Sequence, residues 1–523
     1  MTANLALALS CLLVGWAALA PARRALGPML YHLSAMPVGV IGWSFVAALT
    51  SVLGVRPTLV WSVVGLAIYG AVVAGLCWAF CRGNPAGADD STGRRSGGAL
   101  AGWRGYVIFG GVYALVAVAL AASGLTIAGF DGYVHYELSG WFLRDTGAMS
   151  VTVMGSRNIL VPALHMGTRV FGGDWTYVAY PLFSLNALAL FAWALWHVAF
   201  VRLPNKPRIL LTVLFVGCVA VLPAWVFHTF NVHSNMVSAL YLTLSVVAIL
   251  RAAGAFGAAE SPATPAAASL VAGLATAGLA LARPDGLAYV FAALLLAAAC
   301  HFVDLVDRRA VRALYGGLLL PLVAVYGAAF ATLGLWREDA KLLGTWAAAL
   351  LVGIVLFGLV TVVLPKITTL RAHLGLTDIL KVFVLVDLAI IALVAVSLPE
   401  QFALAIRNMG ANLLLKGGWG LTWVVLVFLL VIALFFPPQD EEDRWSHLLL
   451  FAVIQFMAIA IVVHGATHAG RIRLTDSFNR AALHIVPVAF LYVATYLGRL
   501  LMYPDSHAEA GDADDGEPNA APE

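Results

Sequence analysis

The chain reads as an all-α polytopic membrane protein, on three observations. Hydrophobic residues make up 62% of its 523 positions. Asp, Glu, Lys and Arg together make up 11%, against about 25% in an average globular protein, too few charges to cover a soluble surface of this size. The apolar residues are also gathered into runs of about 20, the length that carries a helix across a bilayer core, and the mean hydropathy of +0.92 agrees. A string of soluble domains is excluded on the same grounds. A net charge of +3 without a basic run leaves nucleic acid nothing to bind.

Taken in order, spans are expected near 3–20, 35–54, 58–80, 106–128, 176–199, 209–226, 236–251, 267–282, 287–303, 313–335, 343–364, 379–398, 419–436, 447–464 and 481–502, fifteen in all. Ala-Leu-Ala before Pro21 would suit a signal peptide, but no Lys or Arg precedes the run while Arg23 and Arg24 follow it. That charge order predicts an uncleaved helix with its N-terminus outside. Residues 1–81 form an N-terminal three-helix unit, 82–104 a Gly- and Ser-rich cytoplasmic linker, and 105–503 a core of about twelve helices. The last segment, 504–523, holds seven acids and no Lys or Arg, which reads as a disordered cytoplasmic tail. Cys11, Cys77, Cys81, Cys218 and Cys300 all lie in apolar runs and read as small core residues.

Orientation follows from the excess of Lys and Arg on the cytoplasmic side. The loop carrying Arg82, Arg94, Arg95 and Arg104 is assigned inside, and alternation from there puts 18 of the 30 Lys and Arg inside and 12 outside. The longest outer stretch is then 129–175. Its first part, GFDGYVHYELSGWFLRDTG, brings Tyr133, Tyr136, Leu138, Trp141 and Phe142 to one apolar face at helical spacing. A second part, SRNILVPALHMGTRVFGGDW, repeats the pattern with Leu160, Leu164 and Phe171. Both are expected to lie in the interface plane.

Asp131 stands at the mouth of the fourth span, where partial desolvation would suit a general base; as a favoured N-cap residue it could equally start the next helix. Glu137 and Asp174 are further acids of the same outer stretch, Asp174 also being suited to cap the next span. Outer cations gather in RPDG (Arg283), RNMGANLLLKGG (Arg407, Lys416) and GRIRLTDSFNR (Arg471, Arg473, Arg480). Arg forks match phosphate oxygens, and the same residues could meet lipid headgroups or pair with Asp285 and Asp476. His135, His165, His228, His233, His464 and His468 fall near the outer face; a His/Asp metal site is conceivable there, but no HExxH spacing supports one and no metal or other cofactor is expected. Asp387 lies within a span, where an ionisable residue is a functional candidate.

These features resemble the GT-C superfamily of integral-membrane glycosyltransferases, of the protein O-mannosyltransferase and aminoarabinose-transferase type. The shared elements are a span ending in an outer Asp, an aromatic amphipathic helix and then Gly147, followed by GLALARPDGLAYVF (278–291) and DSFNRAALHIVPV (476–488). The chain departs from the pattern in having Asp131-Gly132 in place of an adjacent Asp-Glu, in three extra leading helices, and in lacking a large outer C-terminal domain. The resemblance implies a GT-C-like helix bundle with juxtamembrane helices in the first outer loop of the core. It implies an enzyme of EC 2.4 class that takes a sugar from a polyprenyl-phosphate donor to a lipid, glycan or protein acceptor. Asp131 would then be the base; Glu137 and Asp174 would be acids of the site; Arg283, Arg407, Lys416, Arg471, Arg473 and Arg480 would hold the donor phosphate; and Tyr133, His135 and Tyr136 would contact substrate.

Sugar nucleotides are cytosolic, so an outward-facing transferase needs its donor carried on a lipid phosphate, which explains cations on the side where the charge rule discourages them. The Ala, Gly, Val and Leu bias suits a bacterial inner membrane. A transporter or lipid flippase would instead carry several mid-membrane ionisable groups and internal repeats, and a polysaccharide polymerase or ligase would share the lipid-linked substrates.

Overall fold

The computed structural model describes residues 1–82, 99–127, 132–150, 158–257, 263–283, 286–333, 348, 351–359, 361, 375–435, 444–467 and 477–501. The expected linker 82–104 and tail 504–523 fall largely or wholly outside them. The described residues are helical almost throughout, without a β-strand, and the protein is an all-α multi-pass membrane protein. Eight stretches are long and apolar enough to cross a bilayer, or ten when each of two bent helix pairs is one crossing. The first of the eight, Thr2–Leu53, is a hairpin of two helices, α1 (Thr2–Leu19) and α2 (Arg23–Leu53). Three further expected spans hold shorter apolar helices, over 110–123, 288–302 and 422–432. The span expected at 343–364 is described, as helix, only at 348, 351–359 and 361.

Close backbone approach builds the hairpin. A Cβ added to Gly15 would lie 1.8 Å from the Ala35 carbonyl oxygen, and one on Gly39 would lie 1.8 Å from that of Cys11. In lipid, where apolar side chains gain nothing by leaving their surroundings, such small-residue contact is what holds helices together. Next come α3 (Leu59–Cys81), α4 (Ala99–Ser123), α5 (Leu138–Thr146), α6 (Leu160–Val170) and α7 (Ala179–Ala194). After these, α8 (Asn205–Ala220) and α9 (Pro223–Phe230) meet at a 67° bend. The residue before each proline resists helical φ/ψ, so Leu222 is extended and Pro223 opens the new helix.

The core is formed by α10 (Ser234–Ala252) and α11 (Thr264–Ala282), every described side chain of α10 being buried. Gly273 of α11 and Gly317 of α13 (Arg308–Leu333) let these two helices touch backbone to backbone, while α12 (Gly286–Phe302) closes the side of α11. The leading hairpin is not set apart from this core: Tyr241 of α10 donates to the Pro37 carbonyl at 2.7 Å, and Asn186 of α7 to that of Leu33 at 2.8 Å. In the C-terminal part, α14 (Leu376–Ser397) turns through 119° into α15 (Pro399–Ala411), again at a Leu-Pro step. Then follow α16 (Thr422–Phe435), α17 (Arg444–Thr467) and α18 (Ser477–Leu500). Exposed Val, Leu and Ile on α4, α8, α14 and α16 form the apolar perimeter suited to lipid. Cys218 belongs to that perimeter, against the expectation of a core residue, and the half-buried Cys81 lies at its edge; Cys11, Cys77 and Cys300 are buried.

The helix ends sort into two groups. At one end Arg309 donates to the Arg82 carbonyl, Gly498 abuts Ala199, and Arg82, Arg208 and Arg251 lie over the rings of Trp78, Trp196 and Phe256. At the other, Asn4 bonds Trp175 and Tyr177, Gly147 abuts Val55, and Ile127 pairs with the 230–232 segment. The second group is the end the charge count assigns to the outside.

Candidate functional site

The stretch expected outside enters this end through a π-helical turn, Gly132–Glu137, that continues into α5. Of the apolar face expected on this stretch, Tyr136 alone turns into the interior. Tyr136, Glu137, Gly140 and Leu143 are buried, whereas Tyr133, Leu138 and Phe142 are exposed. The second stretch does not lie on an interface: Leu160–Thr168 of α6 are buried throughout, beneath α5 and against α2. A Cβ on Gly140 would come within 2.4 Å of His165 Cβ, and one on Gly167 within 3.0 Å of the Trp43 ring, so those glycines set the close approach.

Polar groups from four chain segments meet at the start of α10. The Tyr136 hydroxyl donates to Ser234 Oγ at 3.1 Å, and its ring meets that of His233 edge-on at 5.3 Å. Arg283 follows the last residue of α11, and its Nη1 donates to Asn235 Oδ1 at 2.9 Å. Asn235 Nδ2 in turn lies 2.9 Å from His228 Nδ1. From the first turn of α18, Arg480 Nη1 donates to His233 Nε2 at 2.8 Å. An arginine nitrogen can only donate, so His233 receives this bond on its lone pair and carries a ring proton on Nδ1, facing Ser234 Oγ at 3.3 Å. Both guanidinium groups thus attach within one turn of the N-terminus of a 19-residue helix, where backbone N–H groups and the helix dipole also favour an anion. Trp419 and Asn479 brace the neighbourhood: the indole N–H donates to Asn479 Oδ1, and Asn479 Nδ2 to the Gly417 carbonyl at 2.9 Å.

The other expected site residues are distributed as follows. Asp131, Arg471 and Arg473 lie outside the described residues. Ile127 and Gly132, the nearest described residues before and after Asp131 in the sequence, both sit against Phe230–Val232. Glu137 is fully buried, with both carboxylate oxygens engaged inside the protein: Oε1 accepts from the Trp141 indole at 2.7 Å and Oε2 meets His165 Nδ1. Asp174 is exposed and pairs with Arg169 at 2.7 Å. It neither joins the cluster nor caps α7, whose N-cap is Val178. Arg407 on α15 and Lys416 on the π-helical turn after it are exposed. Tyr133 stacks on Trp175, with ring centres 5.7 Å apart, and His135 is half-buried on the same turn as Tyr136. Among the described residues, no group of three or more His, Cys, Asp or Glu could hold a metal ion.

Comparison with known proteins finds no counterpart: no family model, no curated protein and no solved structure matches the chain.

His228, His233, Ser234 and Asn235 are the residues that sequence reasoning undervalued. For the last three the signal was the run NVHSN (231–235), a polar stretch opening an otherwise apolar helix; His228 lies three residues before it. His165 was noticed only as an outer histidine, and Tyr180 carried no signal at all, because the contacts that join Glu137 to His165 and His165 to Tyr180 span 28 and 15 positions.

Proposed function

We propose that the chain is a GT-C-type membrane glycosyltransferase that moves a sugar from a polyprenyl-phosphate donor to an acceptor hydroxyl on the extracytoplasmic face of a bacterial inner membrane. The observation that carries the reading is the pair Arg283 and Arg480, joined to Asn235 and His233 at the N-terminus of α10. Two forked cations at a helix N-terminus beside the headgroup region suit a phosphate leaving group. In this reading Asp131 takes the acceptor's proton. The acceptor oxygen bonds to the anomeric carbon as the carbon–oxygen bond to phosphate breaks, with inversion. Arg283 and Arg480 take up the departing charge, with Arg471 and Arg473 as further candidates and Arg407 and Lys416 towards the rim. Tyr136, His135 and the exposed Tyr133 would border the acceptor.

The test is transfer of label from polyprenyl-phosphate sugars to cell-envelope acceptors in proteoliposomes. Asp131→Asn is expected to abolish transfer while leaving donor binding intact; transfer at the wild-type rate by this variant refutes the base assignment.

A second reading, lipid flippase or transporter, draws support from Asp387. It sits within α14, accepts a hydrogen bond from Gln455 of α17, and lies in a chain with two sharply broken helix pairs. Movement of a fluorescent polyprenyl lipid between leaflets with no sugar transfer would favour it. A polymerase or ligase would differ in requiring a second lipid-linked glycan as the acceptor.

A further inference from the structure

We infer that Glu137, His165 and Tyr180 form a buried polar strut that holds the Tyr136-bearing turn at the start of α10. It builds on the reading of that end as the site, and gives Glu137 a positioning role rather than a catalytic one.

Glu137 and His165 side chains have no solvent exposure and Tyr180 is 1% exposed. Glu137 Oε2 meets His165 Nδ1, and His165 Nε2 lies 2.8 Å from the Tyr180 hydroxyl, while Glu137 Oε1 takes the Trp141 N–H. The chain therefore links the π turn to α6 and to the first turn of α7, three segments that share no sequence neighbourhood. A polar group at this depth is costly without a partner, so carboxyl and imidazole are satisfied only together. Adjacent residues of the π turn then point to opposite partners, Tyr136 to Ser234 and His233, Glu137 to His165. Displacing Glu137 must displace Tyr136, one peptide away. The tight Gly140–His165 approach leaves α5 little room to rotate and restore the contact.

Removing one member of a buried hydrogen-bonded pair leaves the other unsatisfied, whereas replacing both is far milder. The experiment uses that asymmetry. Spin labels are attached at the exposed positions Phe142→Cys on α5 and Val226→Cys on α9, in a Cys81→Ala, Cys218→Ser background, and their separation is measured in nanodiscs. Glu137→Gln and His165→Gln are each expected to lose the single narrow distance of the parent, and the double Gln variant to recover it. Narrow distances in both single variants, or a double variant as perturbed as the two singles combined, overturns the strut. Where a single variant fails to yield folded protein, recovery of folded yield by the double variant decides in the same way. Sugar transfer by the same set reads the proposed function separately: the strut predicts a fall in kcat with the donor KM held, since Arg283 and Arg480 are untouched. Absence of transfer in the parent removes the enzymatic reading and leaves the distances to judge the strut.

Discussion

Truncating Arg480 gives the most direct measure of the proposed phosphate contact. The guanidinium is half-buried, and its Nη1 now sits 2.8 Å from His233 Nε2 in the first turn of α18. A hydrogen bond to a charged group contributes about 1.5–3 kcal/mol, or roughly 10- to 150-fold in Kd at 1.4 kcal/mol per decade. Partial exposure screens the charge and puts the expectation in the lower part of that range, about 10- to 40-fold. Arg480→Lys keeps the charge and loses the fork, so it should recover only part of the loss. Arg283→Ala should have a comparable effect, and the double variant should depart from additivity, because both residues attach to the same helix turn. The assay is binding of a fluorescent polyprenyl phosphate to the protein in nanodiscs, with the matching polyprenol as control. The reasoning fails if Arg480→Ala leaves phosphate binding within a factor of about two, or if the polyprenol loses affinity by the same factor, since a charged contact must discriminate the two.

Other expectations come from packing and from exposed pairs. Gly278→Ala would drive a methyl to within 2.3 Å of the Tyr241 ring, an overpacking expected to destabilise by about 1–3 kcal/mol and to appear as a lower thermal midpoint in detergent. Asp174→Asn removes an exposed pair with Arg169 and should change stability by no more than about 1 kcal/mol; a large loss of sugar transfer would return Asp174 to the site. Gln455→Leu strips Asp387 of its donor and should destabilise more than the double Asp387→Leu, Gln455→Leu variant, measured by unfolding in mixed micelles.

Helix positions were the most legible part of the sequence, because hydropathy alone marks a bilayer-length run. Each expected span with described residues has helix in its place, and the grouping of helix ends follows the alternation read from Arg and Lys. The breaks at Leu222-Pro223 and Leu398-Pro399 could be anticipated from proline chemistry, although the 119° turn at the second could not. Of the apolar face expected on the outer stretch only Tyr136 turns inward, and that was not legible because its hydroxyl's partner, Ser234, lies 98 positions away. At the site, charge pointed to Arg283 and Arg480 one by one. Their meeting at α10 depends on contacts across 48 and 247 positions that no local pattern encodes. Glu137 was noted for its charge, yet its burial depends on Trp141 one turn on and on His165 from another helix.

The α1–α2 hairpin has a consequence for biogenesis. Its two helices can zip together as soon as both have left the translocon, because glycine-mediated backbone contact needs no third element. The groups that take the Pro37 and Leu33 carbonyls, however, arrive with Tyr241 and Asn186, over 150 residues later in translation. Until then the nascent hairpin is an incomplete intermediate in the lipid. A ribosome stalled before α7 should leave a fragment that membrane quality-control proteases clear faster than one stalled after α11.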